Sequence, residues 1–131
     1  MSGRVVFFLQ HGSFEPAYQV ASLAITAAAM GDEVYVVFNF DALRLLSRNA
    51  FGLPHTEREG AELARSEGLG VPIPIKMLQE ARNLGVKLVA CDTTVKLCGF
   101  SADDFNQKLD SVMGLASIWR LTQNARTLSF G

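Results

Sequence analysis

The sequence has little cysteine and histidine, and this scarcity excludes two classes of protein. Only two of the 131 residues are cysteine, too few for the disulfide framework of a small secreted domain. The soft or borderline metal ligands are His11, His55, Cys91 and Cys98, which lack the short spacings of a zinc site. No metal site is therefore expected, and the two thiols are expected to be buried, redox-active or catalytic in a reducing compartment.

An excess of either charge is also missing. The chain has 12 Lys and Arg against 13 Asp and Glu, a formal net charge of -1, so no basic surface for nucleic acid or an anionic membrane is expected. The apolar run near the N-terminus is interrupted by Gln10 and His11, too early for a signal-peptide core or a membrane span. The sequence predicts a soluble, cytoplasmic protein that binds neither nucleic acid nor membranes.

Familiar phosphate and redox motifs are absent as well. The first predicted strand is followed by QHGSFEP, which has neither the GxxxxGK[ST] nor the GxGxxG spacing. There is no Cys-x-x-Cys, and no arginine closes the turn after Cys91 as a phosphatase loop would need. Asp103 and Asp104 resemble a catalytic carboxylate pair, but with Ser101 they form a capping-box pattern that favours a helix start.

Apolar runs alternate with helical patterns along the chain, and this alternation indicates the fold. The runs are rich in β-branched and aromatic residues, which is typical of strands covered on both faces of a parallel sheet. Strands are predicted at 4–9, 33–38, 86–91, 111–113 and 126–130, and helices at 17–30, 41–47, 57–66, 74–84, 93–97 and 115–123. The pattern predicts one α/β domain over residues 1–131.

Residues 48–71 are the least core-like stretch. They combine several glycines and a proline with many charges, and a connection of that length is commonly a lid, a binding loop or an interaction arm. We predict a flexible or lid-like insertion here. The alternative is that its helical part packs on the surface with a solvated face.

Cys91 ends the third predicted strand, and ligands bind outside the carboxyl ends of strands in open parallel sheets. If Asp92 or Thr93 caps the next helix, backbone N–H groups favour a thiolate, and the hydroxyls of Thr93 and Thr94 add donors. The Asp92 carboxylate opposes that charge, so the net effect stays open. The alternative is that Cys91 only fills space in the core. Cys98 lies too far along the chain for an unstrained disulfide with Cys91 within one continuous helix.

Several segments resemble the DsrE/DsrF-like family of small sulfur-relay proteins. The resemblance lies in the first strand with its glycine loop and alanine-rich helix, and in GDEVYVVFNFDAL, KLVACDTTVKLCGFSADDF and VMGLASIWRLTQNARTLSF. It implies a three-layer α/β/α domain with a five-stranded, mainly parallel sheet, assembled as a homotrimer or a larger homo-oligomer such as a hexamer. In that family a cysteine after the third strand carries sulfur as a persulfide, and Cys91 matches that position. The Asp92-Thr-Thr segment and Cys98 depart from the family pattern.

Two functions remain open. In the first, a sulfurtransferase-like relay protein accepts sulfane sulfur from a protein donor on Cys91 and passes it to an acceptor protein, without metal or organic cofactor. His11 and Gly12, on the loop after the first strand, would then support Cys91, although a histidine with no catalytic role is the alternative. In the second, a non-catalytic oligomeric module binds a small ligand or a protein at the strand-end crevice, with residues 48–71 as the recognition loop. Whether the protein is an enzyme is therefore left open. Both readings predict a homo-oligomer, because aromatic residues such as Trp119 are favoured at interfaces.

Overall fold

The computed structural model describes residues 3–131, so the first two residues of the predicted domain lie outside it. The strands are β1 Arg4–Leu9, β2 Glu33–Phe38, β3 Lys87–Cys91, β4 Ser111–Met113 and β5 Ala125–Phe130. The helices are α1 Phe14–Ala29, α2 Phe40–Ser47, α3 Glu57–Gly68, α4 Pro74–Asn83, α5 Asp92–Leu97 and α6 Leu115–Leu121, with a 3₁₀ turn at Ala102–Phe105. Each predicted element is found, with ends that shift by a few residues at most.

The five strands form one sheet in the order β4-β3-β2-β1-β5. Every pairing is parallel; Arg4 of β1, for example, lies opposite Glu33 of β2 and Ala125 of β5. The predicted α/β class is confirmed. Because all strands run in one direction, their carboxyl ends meet at a single edge of the sheet, where the loops after β1, β2 and β3 lie side by side.

One face of the sheet carries the larger core. Helices α1, α2, α4 and α5 contribute side chains to it, and the strands add alternate residues. The largest fully buried members include Phe38, Leu9, Leu43, Leu78 and Leu88. The apolar side chains of a parallel sheet need a cover of helices to be buried, and on this face four helices provide it.

The opposite face is covered much more thinly. Its core holds Val6, Val37, Val89, Cys91 and Ile118, and Ile118 is the one buried residue of α6. The domain therefore has three layers of unequal thickness. The side chain of Cys91 lies in the thin layer, between the sheet and α6.

The segment 48–71 contains the helix α3, held against the start of α1 by polar contacts. Glu59 is 3% exposed, and its carboxylate accepts hydrogen bonds from the N–H groups of Glu15 (2.7 Å) and His55 (2.9 Å). Burial by itself raises the pKa of Glu59, but these donors and the Ser13 hydroxyl together hold the pKa below its ordinary value. Arg58 adds an exposed ion pair with Glu15 at 3.1 Å. The lid role stays a prediction.

Phe51 does not fit the recognition loop suggested by the sequence. It is 2% exposed and packs against Phe38, with ring centroids 5.5 Å apart. Its burial ties the start of the segment to the main core, so it cannot contact a partner from the surface.

Candidate functional site

Cys91 is the last residue of β3 and the N-cap position of α5. Because side chains alternate along a strand, Ala90 points into the main core while Cys91 points to the thin layer. The thiol is 6% exposed, and its neighbours in that cluster are apolar, with Met113 of β4 packed against it. The predicted position at the carboxyl edge of the sheet is found, but the sulfur faces a helix rather than solvent.

The three residues after Cys91 begin α5. The Asp92 carboxylate forms an ion pair with Lys96 at 3.2 Å, between successive turns of α5. Because the pair is exposed to solvent, it contributes little to the stability of the fold. Thr93 is exposed and Thr94 is buried. Among residues 3–131 no hydrogen bond joins either hydroxyl to the Cys91 sulfur. The structure thus places these residues beside Cys91, but residues 3–131 give the thiol no hydrogen-bond donor.

His11 and Gly12 lie at the same edge of the sheet but gather around a different side chain. His11 Nδ1 is 3.7 Å from Oδ2 of Asp41, and the Gly12 N–H donates to the same oxygen at 3.2 Å. Strand β2 separates β1 from β3, which places their backbones about 10 Å apart. The described geometry groups His11 and Gly12 with Asp41 rather than with Cys91.

Cys98, at the other end of α5, belongs to the opposite side of the sheet. It is partly buried and packs against the main core, and Arg44 Nη1 lies 3.8 Å from its sulfur. Both thiols are free. The two cysteines therefore occupy separate environments on opposite sides of the sheet.

Phe40 is a feature of this edge that sequence reasoning missed. It follows β2, whose Phe38 pairs with Ala90 of β3, so it lies near the level of Cys91. Its φ is +35° and its side chain is 40% exposed. A bulky residue with positive φ is rare, and such strain clusters at functional sites. No sequence signal marks it, because phenylalanine is not a residue that favours this conformation.

An apolar groove lies on the thin side, next to the cluster that holds Cys91. Its volume is about 810 Å³, and it runs between α6 and strands β1 and β5. None of its lining residues is charged: Phe8, Leu115, Ala116, Ile118, Trp119, Thr122, Ala125 and Thr127. Trp119, which the sequence suggested for an interface, is 71% exposed here.

The described residues also show neither a metal-binding cluster nor a membrane-spanning helix. Within residues 3–131, no group of three or more His, Cys, Asp or Glu residues is arranged to hold a metal ion. Among the same residues, no helix combines the length and hydrophobicity needed to cross a membrane.

Both the sequence and the fold of this chain are similar to those of known proteins. The sequence model of the DsrE/DsrF-like family matches residues 4–130, nearly the whole chain. The chain belongs to the DsrE/DsrF-like family. Among solved structures, it is similar to MTH1491, a protein of unknown function from Methanobacterium thermoautotrophicum. The two share 19% sequence identity with a TM-score of 0.64, over 97% of this chain and 98% of that one. No curated protein matches the sequence significantly.

This DsrE/DsrF-like membership confirms the resemblance seen in the sequence and, with the structural neighbour, the fold. At 19% identity, the likeness to MTH1491 shows the fold alone.

Proposed function

We propose that this DsrE/DsrF-like protein relays sulfane sulfur as a persulfide on Cys91. The observation that carries the proposal is a free cysteine at the carboxyl end of β3 in a chain whose family generally serves sulfur relay. In a parallel sheet this edge is where ligands and partners meet the protein. The roles of Asp92, Thr93, Thr94, His11 and Gly12 as supporting residues stay predictions.

The proposed chemistry is two thiol exchanges. The Cys91 thiolate attacks the outer sulfur of a donor protein persulfide, forms a new S–S bond and releases the donor thiolate. An acceptor thiolate then attacks the outer sulfur of the Cys91 persulfide, which regenerates the Cys91 thiolate. Sulfur moves without net oxidation, so no cofactor is needed. Because free thiols persist in reducing compartments, the proposal places the protein in the cytoplasm.

The burial of Cys91 favours a second candidate function. A thiol that is 6% exposed among apolar side chains is the environment of a structural cysteine. In that case the protein is a non-catalytic module, and the groove along α6 binds a small ligand or a protein.

Intact mass after incubation with a sulfane-sulfur donor separates the two functions. In the relay, the native chain gains the mass of one sulfur atom, the gain persists in Cys98→Ser, and it disappears in Cys91→Ser. A reductant reverses it, because the outer sulfur of a persulfide is reducible. If the folded native chain takes up no sulfur, or if both variants load equally, the relay is wrong and the module stands.

Homo-oligomerisation through the thin side is part of the same proposal. Trp119 and Leu115 of α6 are 71% and 69% exposed and border the uncharged groove. An uncharged apolar surface matches a second copy of itself without leaving buried charges unpaired, and aromatic residues are enriched in such interfaces. We propose a trimer or hexamer in which this surface contacts another copy of the chain.

A further inference from the structure

The register of the sheet places a polar residue beside Cys91 on the thin side. Val89 of β3 lies opposite Val37 of β2, and both belong to the same cluster as Cys91. Because side chains alternate along a strand, the residue two positions further on returns to the same face. Two positions after Val89 comes Cys91, and two positions after Val37 comes Asn39. The side chains of Asn39 and Cys91 therefore lie next to each other on this face.

The backbone of Asn39 continues the geometry of β2 by one residue. Its φ is -124° and its ψ is 148°, and its N–H donates to the carbonyl of Leu9 at 2.9 Å, which extends the ladder between β1 and β2. Cys91 is extended as well, with φ -76° and ψ 131°. Neighbouring strands are about 4.8 Å apart. The carboxamide of Asn39 can therefore reach the sulfur of Cys91 by rotation of its side chain.

The carboxamide of Asn39 does not serve the helix that follows it. Asparagine is a preferred N-cap residue and Asn39 occupies the N-cap position of α2, yet its side chain makes no capping hydrogen bond. The side chain is partly buried. On the other side of Cys91, β4 places Met113 opposite it. Of these two neighbours, Asn39 is the one with N–H groups to donate.

We propose that the Asn39 carboxamide donates a hydrogen bond to the anionic sulfur of Cys91. A neutral thiol is a weak acceptor, so the bond forms once the sulfur carries a charge, as the thiolate or, on the basis of the proposed function, as the persulfide anion. In the transfer, the bond from Cys91 Sγ to the incoming sulfur forms while the S–S bond of the donor breaks, and the donor thiolate takes the charge. Asn39 gives up no proton in this step.

This role is compatible with the proposed assembly. Asn39 lies at the carboxyl edge of the sheet and is not among the residues that line the groove along α6. The hydrogen bond therefore needs no movement of α6, and the α6 surface stays available to another copy of the chain.

Alkylation with iodoacetamide tests the hydrogen bond without sulfur transfer. The folded protein is treated at pH 7, and the rates at Cys91 and Cys98 are measured separately by peptide mass spectrometry. Asn39→Ala removes the donor, so less thiolate forms and the rate at Cys91 is expected to fall roughly three- to tenfold. Asn39→Asp places a negative charge beside the sulfur, and the expected fall is larger, roughly thirtyfold. The rate at Cys98, on the other side of the sheet, stays unchanged.

Asn39→Asp also separates this role from a structural one. Aspartate has nearly the shape of asparagine and is an equally good N-cap, so a residue that only starts α2 could be replaced by it without effect. A side chain that only shields the sulfur would, when truncated in Asn39→Ala, speed up alkylation. The inference is overturned by a native rate at Cys91 in Asn39→Asp, or by an unchanged or faster rate in Asn39→Ala. Thermal unfolding checks that both variants are folded.

The matched control is Gln10→Ala. Gln10 has the same carboxamide group and follows Phe8, which lies opposite Val37, by two positions. It therefore lies on the same face, but its backbone is one strand further from Cys91, about 10 Å away, and its side chain is exposed. The rate at Cys91 should stay native in this variant. An equal fall in Gln10→Ala and Asn39→Ala would overturn the inference, because the effect would then not be specific to the neighbouring strand.

The same measurements distinguish this inference from the proposed function. If alkylation slows in both Asn39 variants but the native chain never takes up sulfur, the hydrogen bond stands and the relay fails. If the native chain loads sulfur on Cys91 while the alkylation rate does not depend on Asn39, the relay stands and the inference fails.

Discussion

Gly12 shows how a single residue near the site can be fixed by packing rather than by chemistry. A Cβ added there would lie 3.1 Å from Cδ1 of Leu45 and 3.2 Å from both the Ala42 Cα and Phe51 Cδ1. Two of these atoms are side-chain atoms in the core, and the third is the backbone of α2. The loop after β1 therefore approaches α2 so closely that a Cβ fits there only if its neighbours move by a few tenths of an ångström.

Replacing Gly12 by alanine is expected to destabilise the domain. The added methyl forces α2 and the core to shift, and overpacking of this kind costs about 1–3 kcal/mol. Denaturant unfolding measures the loss. Gly60→Ala is the matched control, because Gly60 lies within α3 with open space around its Cβ position. That change should stabilise by about 0.5–1 kcal/mol. Equal stability of Gly12→Ala and the native chain would contradict the packing argument.

The position of Cys91 could be read from the sequence, but the direction of its side chain could not. An apolar run followed by polar residues marks the end of a strand, and that is where β3 ends. Because every residue from Leu88 to Cys91 is apolar or small, the run has no alternation that tells the two faces apart. The contacts of His11 with Asp41 and of Cys98 with Arg44 join distant parts of the chain, so no local pattern encodes them.

Helices α1 and α3 meet through a cluster of charged side chains. The hydrogen bond with Glu15 raises the pKa of Glu62, and burial and the negative charge of Glu15 act in the same direction. Glu62 Oε1 is buried and has no hydrogen-bond partner among the described residues. A carboxyl whose pKa is raised on folding favours the folded state at low pH, and this contribution is lost as the pH rises through the folded pKa. At neutral pH the Glu15–Glu62 contact therefore opposes the docking of α3.

Glu62→Gln should stabilise the protein at neutral pH. The amide keeps a hydrogen-bond donor for Glu15 and removes the like charge. Thermal unfolding at pH 7 should give a higher midpoint for the variant, and the difference should shrink towards pH 4, where the native Glu62 is protonated. Glu57→Gln, on the exposed start of α3, is the control for the loss of one charge. A stability difference that does not depend on pH would contradict the raised pKa of Glu62.

The elements themselves follow closely from the sequence. Strands β1, β2 and β4 have the predicted bounds because apolar runs and their polar or glycine borders are local signals. The capping box at Ser101 and Asp104 is present, and the Ser101 N–H donates to Asp104 Oδ2 at 2.8 Å. Helix α6 ends at Leu121 rather than Gln123, since helix ends depend on a few weak terminal bonds.

At the scale of the whole molecule, the two sides of the sheet differ in a way the sequence did not reveal. Four helices pack on one face of the sheet, whereas α6 packs on the other. Trp119 and Leu115 of α6 stay largely exposed. The alternation of strands and helices predicts layers but not how evenly they are filled, because that depends on which side each crossover takes. The exposed apolar surface on the thin side is thus a property of the topology, and it is the surface that an oligomer would bury.

A charge on that surface should dissociate the assembly. Light scattering on the native chain is expected to give the mass of three or six copies, and Trp119→Asp should give a single chain, because an unpaired carboxylate buried in an apolar interface is strongly unfavourable. Leu97→Asp is the matched control: Leu97 is also 71% exposed, but it lies on α5. If Leu97→Asp dissociates the assembly and Trp119→Asp does not, the interface lies elsewhere. A native chain that is monomeric at every concentration would contradict the oligomer itself.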